Sequence, residues 1–242
     1  MKQVLAARIA QALAPYARHD SRFGRDFSQF IPAFVGSELA AERLVSEPSY
    51  RSSRYIFVTP DNALQAFRLR ALLDGKTMVL PSYGLQRGFL LLEPQAVPAG
   101  QEVFASCLDG VDQFGRELSL EQLQQRGAFE LLVAGASAVT TQGLRFGMGS
   151  HYLDVEWGLF SELNLVRHDT LVAVLVHDVQ ITDEALATST TDVRANLIVT
   201  PTRNLHIDAL SRPERLDWNC VDASLRDTPP LREFMTMSKP TL

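Results

Sequence analysis

The sequence predicts an α/β protein built on a mainly parallel sheet covered on both faces. Two observations predict it. Short apolar runs that read as buried strands alternate with helical patterns along most of the chain. The joins between them carry the residues that start and stop helices. Parallel strands need helical crossovers, which cover both sheet faces and run right-handed.

The elements follow in order. An alanine-rich helix is expected over about Val4–Tyr16 and a second over about Ser37–Glu47. Tyr55–Thr59 reads as a buried strand, and Pro60-Asp61-Asn62 supplies a turn and a helix N-cap. Ala63–Leu73 carries apolar residues at helical spacing and Gly75 closes it. Lys76–Leu80 is the next strand, stopped by Pro81, and Lys76 marks its exposed end. The stretch Gly84–Gly115 is less regular, which suggests loops or a small antiparallel excursion. Ser119-Leu-Glu-Gln122 has the form of a capping box, and its helix ends at Gly127. Strands follow at Phe129–Ala134, Leu171–Val176 and Ala195–Val199. Between the first two of these, Val155, Leu159, Phe160 and Leu163 mark one face of a helix. The prolines at 213, 229 and 230 make the segment after Ser211 a surface wrap. This gives one α/β domain over residues 1–222 and a C-terminal tail over 223–242.

Composition narrows the class. The chain has 242 residues, 46% hydrophobic and 21% charged, with a net charge of −5, which is ordinary globular composition. Mild acidity argues against non-specific nucleic-acid binding. No apolar run approaches the roughly 18–20 residues of a membrane span. Two unclustered cysteines, Cys107 and Cys220, fit a reducing compartment, so a cytoplasmic protein is expected. The expected partner is a small molecule, with neither nucleic acid nor membrane, and the expected state is a monomer or homodimer.

The most informative stretch is Arg145-Phe-Gly-Met-Gly-Ser-His-Tyr-Leu-Asp154. A glycine turn between strand and helix offers backbone N–H groups to an anion, and in open sheets ligands bind beyond the carboxyl ends of the strands. Pro60-Asp61-Asn62, Pro81-Ser82-Tyr83 and His177-Asp178 belong on the same rim. The plainer readings are a structural turn with Arg145 paired to a nearby acid, and a helix dipole that favours Asp154 and Glu156 in the first turn. His177-Asp178 reads as a turn cap, because neighbours on an extended chain point to opposite faces. Arg68 and Arg70 read as solvated helix-face residues, and Trp157 and Trp218 as packing.

These residues resemble the 5-formyltetrahydrofolate cyclo-ligase family. The family's glycine loop ending in Tyr-Tyr-Asp corresponds to Gly147-Met-Gly149-Ser-His-Tyr152-Leu-Asp154. Its Asp-x-Gln strand end corresponds to Asp178-Val-Gln180, and its acidic element before a final strand to Asp192 through Thr200. A cyclo-ligase-like branch is matched further by Ile31-Pro32-Ala-Phe34-Val-Gly36, Pro60-Asp61, Asp154-x-Glu156 and Thr200-Pro201. The resemblance implies the three-layer α/β/α fold shared with ribose-5-phosphate isomerase and CoA transferases. It also implies a reaction in which ATP activates the formyl oxygen of 5-formyltetrahydrofolate and a neighbouring nitrogen closes the ring to 5,10-methenyltetrahydrofolate. By resemblance, the backbone of Gly147, Met148, Gly149, Ser150 and His151 would cradle ATP. Arg145 would supply a fixed positive charge and Tyr152 would orient the folate. Asp154 and Asp192 would hold Mg2+. The sequence departs from the pattern at Met148, Ser150 and His151, where a basic residue or more glycine is usual. It departs again at Leu153, which replaces a second tyrosine, and at Thr190 and Thr191. An N-terminal Lys-x-x-x-Arg element has no counterpart. These departures fit a paralogue that keeps the pocket for another role, thiamine-related metabolism being one association of that branch. A non-catalytic interaction protein using the segment from Arg212 to Met237 is the third reading.

Overall fold

The computed structural model describes residues 2–20, 24–27, 30–146, 152–208 and 211–237. Its eleven strands are β1 (Tyr55–Val58), β2 (Thr77–Pro81), β3 (Phe89–Leu92), β4 (Arg116–Leu118), β5 (Leu131–Ala134), β6 (Ala138–Thr140), β7 (Arg145–Phe146), β8 (Leu171–Leu175), β9 (Ile181–Thr182), β10 (Leu197–Val199) and β11 (Asn204–His206). The helices are α1 (Lys2–Leu13), α2 (Ser37–Val45), α3 (Pro48–Ser52), α4 (Gln65–Leu73), α5 (Glu102–Ser106), α6 (Leu108–Phe114), α7 (Leu120–Arg126), α8 (Tyr152–Glu162), α9 (Ala223–Arg226) and α10 (Pro229–Met237).

Eight strands form one sheet in the order β11-β10-β8-β5-β1-β2-β3-β4. The middle of it is parallel: β10 with β8, β8 with β5, β5 with β1, and β1 with β2. The edges are antiparallel, through β11 on one side and β3 and β4 on the other. The parallel α/β expectation is therefore met, and the irregular stretch after Gly84 contains an antiparallel excursion, with α5 and α6 added. Pro81 ends its strand from within it. It is the last residue of β2 and faces Phe89 across the antiparallel pair.

Strand residues alternate between two cores, which is why their sequences read as continuous apolar runs. Phe57, Leu132, Val172, Val174 and Ile198 face one side, with Leu123 of α7 and Leu159 and Phe160 of α8. Ile56, Val58, Val133, Ala173 and Val199 face the other, with Leu44 of α2 and Phe67 of α4. Local signals hold where they are strong. Ser119 accepts from the backbone of Gln122, and the Gln122 side chain answers to the Ser119 N–H, completing the capping box. Gly75 closes α4 at φ 74°, a left-handed conformation that suits glycine.

The segment after Ser211 does more than wrap the surface. Leu216, Val221, Leu225, Leu231 and Phe234 enter the same core as α7 and α8. Two cations expected at the surface are also inside. Arg68 is 1% exposed and donates to the carbonyls of Ser106 and Asp61. Lys76 is buried with its ammonium on the carbonyls of Tyr50, Arg51 and Ser53, where it satisfies the open end of α3.

Candidate functional site

The chain runs from β1 through α4 to β2 on one side, whereas β5 lies against the other side of β1. The carboxyl ends of β1 and β5 thus flank a point where the winding reverses, the usual place for a ligand crevice. Asp61 and Gly135 meet there. The Asp61 carboxylate accepts the Thr59 hydroxyl and, at 2.9 Å, the Gly135 N–H. A side chain at 135 would not fit, since a Cβ there would lie 2.8 Å from Asp61 Oδ2. Burial pushes the Asp61 carboxyl upward, opposed by its two donors and by Arg68 and Arg145.

A small second sheet, β7-β6-β9, stands on this rim. β6 pairs antiparallel with β7 and parallel with β9. The glycine loop therefore does not follow β5 directly. The β6–β7 hairpin intervenes, and Arg145 is the first residue of β7. The loop residues Gly147, Met148, Gly149, Ser150 and His151 lie outside the described residues. On the far side of them, Tyr152 opens α8, 38% exposed, with its hydroxyl 3.9 Å from where a Cβ on Gly84 would stand.

Arg145 and Asp154 bracket the loop and pair with each other. Arg145 Nη2 donates to Asp154 Oδ1 at 2.6 Å, with the two side chains 8% and 10% exposed. The same oxygen accepts the Val193 N–H at 2.9 Å, which ties α8 to the segment leading into β10. Asp192 is next in that segment, and its Oδ2 accepts the Ser189 N–H at 2.6 Å. Asp154 and Asp192 both line a cavity of about 320 Å3, along with Ser189 and Thr191. The two acids assigned to Mg2+ are thus brought to one place. Two carboxylates with room for waters and phosphates suit Mg2+. Among the described residues there is no cluster of three or more histidine, cysteine or acidic side chains able to hold a metal.

Glu156 departs most from its sequence reading. A helix dipole alone was the expected reason for an acid there, but the side chain is 1% exposed and its Oε2 has no hydrogen-bond partner among the described residues. Burial pushes its carboxyl up to about 8; Asp61 and Asp154 add to this and Arg145 opposes it. The sequence signal was the spacing Asp154-x-Glu156, which turns the second acid toward the core once the helix forms.

The other rim residues behave structurally. His177 caps a short 3-10 turn: its Nδ1 accepts the Val179 N–H, and its ring stacks on Tyr16 at 4.3 Å. Asp178 accepts the hydroxyls of Thr200 and Thr202. The pair is no dyad, as the strand geometry predicted. Trp157 is core packing with its indole N–H on the Pro213 carbonyl, and both cysteines are free thiols. Sequence reading missed the second wall of the cavity. It is formed by Pro213, Arg215, Leu216, Asp217 and Cys220, and nothing in their local pattern signals a site.

The pattern of the 5-formyltetrahydrofolate cyclo-ligase family matches residues 2–201. The chain belongs to that family. The human methenyltetrahydrofolate synthase domain-containing protein is 27% identical over 214 residues, covering 86% of this chain and 55% of its own length. The mouse protein of that name is 29% identical over 244 residues, covering 98% of this chain and 64% of its own. The chain thus spans little more than half the length of these curated relatives. Among solved structures, the Aquifex aeolicus 5,10-methenyltetrahydrofolate synthetase superposes with a TM-score of 0.53 at 17% identity. It covers 87% of this chain and 95% of its own. That likeness establishes the shared cyclo-ligase fold. No helix among the described residues is long and apolar enough to cross a membrane.

Proposed function

We propose that this member of the cyclo-ligase family binds a nucleotide- or folate-type small molecule between the Gly147–Asp154 loop and the cavity of Asp154 and Asp192. The observation that carries it is that these two carboxylates, one from α8 and one from the segment before β10, line one cavity. In this reading the loop backbone at 147–151 receives ATP, Asp154 and Asp192 hold Mg2+, and Tyr152 orients a reduced folate. The metal's part would be to neutralise charge on the nucleotide phosphates. The protein's own part is positioning. Arg145 and the Val193 N–H fix Asp154 Oδ1, so the carboxylate meets a ligand already oriented. The product would be 5,10-methenyltetrahydrofolate. A cytoplasmic protein, as monomer or homodimer, belongs to the same reading.

A second reading keeps the pocket and drops the reaction. It is favoured by the pairing of Arg145 with Asp154, which commits one arm of that guanidinium. Met148 brings no charge to the loop. Incubation of the purified chain with 5-formyltetrahydrofolate, ATP and Mg2+ separates the readings. Appearance of methenyl absorbance supports the ligase. No product at high protein concentration, with measurable ligand binding, supports the paralogue. No binding of either ligand rejects both.

A further inference from the structure

Half of the cavity wall lies outside the stretch that defines the family. The family pattern ends at residue 201, but five of the ten residues lining the cavity, Pro213 to Cys220, come later. This strap is held firmly in place. Trp157 Nε1 donates to the Pro213 carbonyl at 2.9 Å and the Ser161 hydroxyl to the same oxygen at 3.2 Å. The Leu216 N–H donates to Glu162 at 3.0 Å, and the Arg212 guanidinium lies 4.8 Å from the centre of the Trp157 ring. The strap backbone also lies directly on α8. A Cβ on Gly158 would meet Leu216 Cα at 2.8 Å and the Arg215 carbonyl at 3.1 Å.

What this wall adds is a charge. The acids on the cavity are Asp154, Asp192 and Asp217, and Arg215 is the one cation among its lining residues. Arg215 is exposed and makes no hydrogen bond or ion pair with any described residue. The other two guanidiniums near α8 are engaged through their terminal nitrogens, Arg145 with Asp154 and Arg212 with the Arg194 carbonyl and Asn196, and their buried Nε atoms have no partner among the described residues. The glycine loop, with Met148 and His151, supplies no second fixed positive charge. A planar guanidinium on a rigid strap suits a carboxylate or phosphate, which it can grip with two parallel hydrogen bonds.

We infer that Arg215 is the specificity-determining residue of the cavity, pairing from the strap with an anionic group of the ligand. This rests on the reading of the cavity as the ligand site. Isothermal titration calorimetry on the full chain tests it, with MgATP as the phosphate probe and 5-formyltetrahydrofolate as the carboxylate probe. Arg215→Ala should weaken at least one probe by about tenfold or more, the range of a charged hydrogen bond, with the melting temperature unchanged. Arg215→Lys should keep part of the affinity. The probe that weakens identifies the anion. Wild-type binding that Arg215→Ala leaves equal or tighter for both probes overturns this inference alone. Failure of the wild type to bind either probe removes the reading of the cavity and this inference with it.

Discussion

Arg145 and Asp154 form a nearly enclosed ion pair, 2.6 Å between Nη2 and Oδ1, across the two ends of the glycine loop. Arg145 opens β7 and Asp154 lies in the first turn of α8, so the pair ties the strand before the loop to the helix after it. It also makes Asp154 a poor candidate for simple removal. Asp154→Ala would leave a buried guanidinium without its counter-charge, which costs about 3–5 kcal/mol, whereas replacing both partners with leucine should cost much less. Urea denaturation of the single and double variants measures the difference. Equal costs for the single and double variants would show that the pair carries no mutual energy.

Glu156 gives the fold a pH dependence. Its carboxyl is pushed up to about 8 in the folded protein, against an ordinary value of 4.5. Between those values the folded state holds a proton that the unfolded state has released, so stability falls as pH rises from about 4.5 to about 8. By pH 7 the loss is on the order of 3 kcal/mol, at about 1.4 kcal/mol per pH unit. Glu156→Gln should remove this slope and raise stability at pH 7. Denaturation midpoints of wild type and variant across pH 5 to 8 read it out. Parallel curves would mean that Glu156 is ionised in the folded state.

Gly158 separates packing from helix propensity. In an exposed helix, alanine would be better than glycine by about 1 kcal/mol. Here an added Cβ meets the backbone of Leu216 at 2.8 Å, and backbone cannot turn aside as a side chain can. Gly158→Ala should therefore destabilise by about 1–3 kcal/mol and loosen the strap, so that limited proteolysis cuts first between Arg212 and Cys220. A variant as stable as the wild type and equally resistant would show that the strap does not rest on α8.

The sheet was legible because its strands are buried on both faces. Tyr55–Val58 and Leu171–Leu175 are apolar throughout, and only a two-sided core calls for that. The capping box at Ser119 and the turn at Gly75 were legible because their signals are local. Arg68 and Lys76 were misread because their acceptors, the carbonyls of Ser106 and of Tyr50 and Ser53, arrive from elsewhere in the chain. A cation's own sequence neighbours do not tell whether carbonyls will enclose it. At the site, Asp154 and Asp192 are named by the family resemblance and not by their own spacing, and their neighbours across the cavity are not named at all. Arg215 and Asp217 reach it through the docking of a proline-marked segment on α8, a tertiary event without periodicity. Glu156 was assigned to the dipole because spacing alone does not report how completely a helix face is covered.

Ligand-induced stabilisation of the wild type and Asp192→Asn tests the cavity most directly. The asparagine keeps an oxygen for the Ser189 N–H but loses the charge that would face Mg2+. With MgATP at about one hundred times its dissociation constant, the wild type should gain about 2.7 kcal/mol of stability. Asp192→Asn should gain far less at the same concentration. Equal stabilisation of the two proteins would place the ligand elsewhere and contradict the assignment of the Asp154–Asp192 cavity.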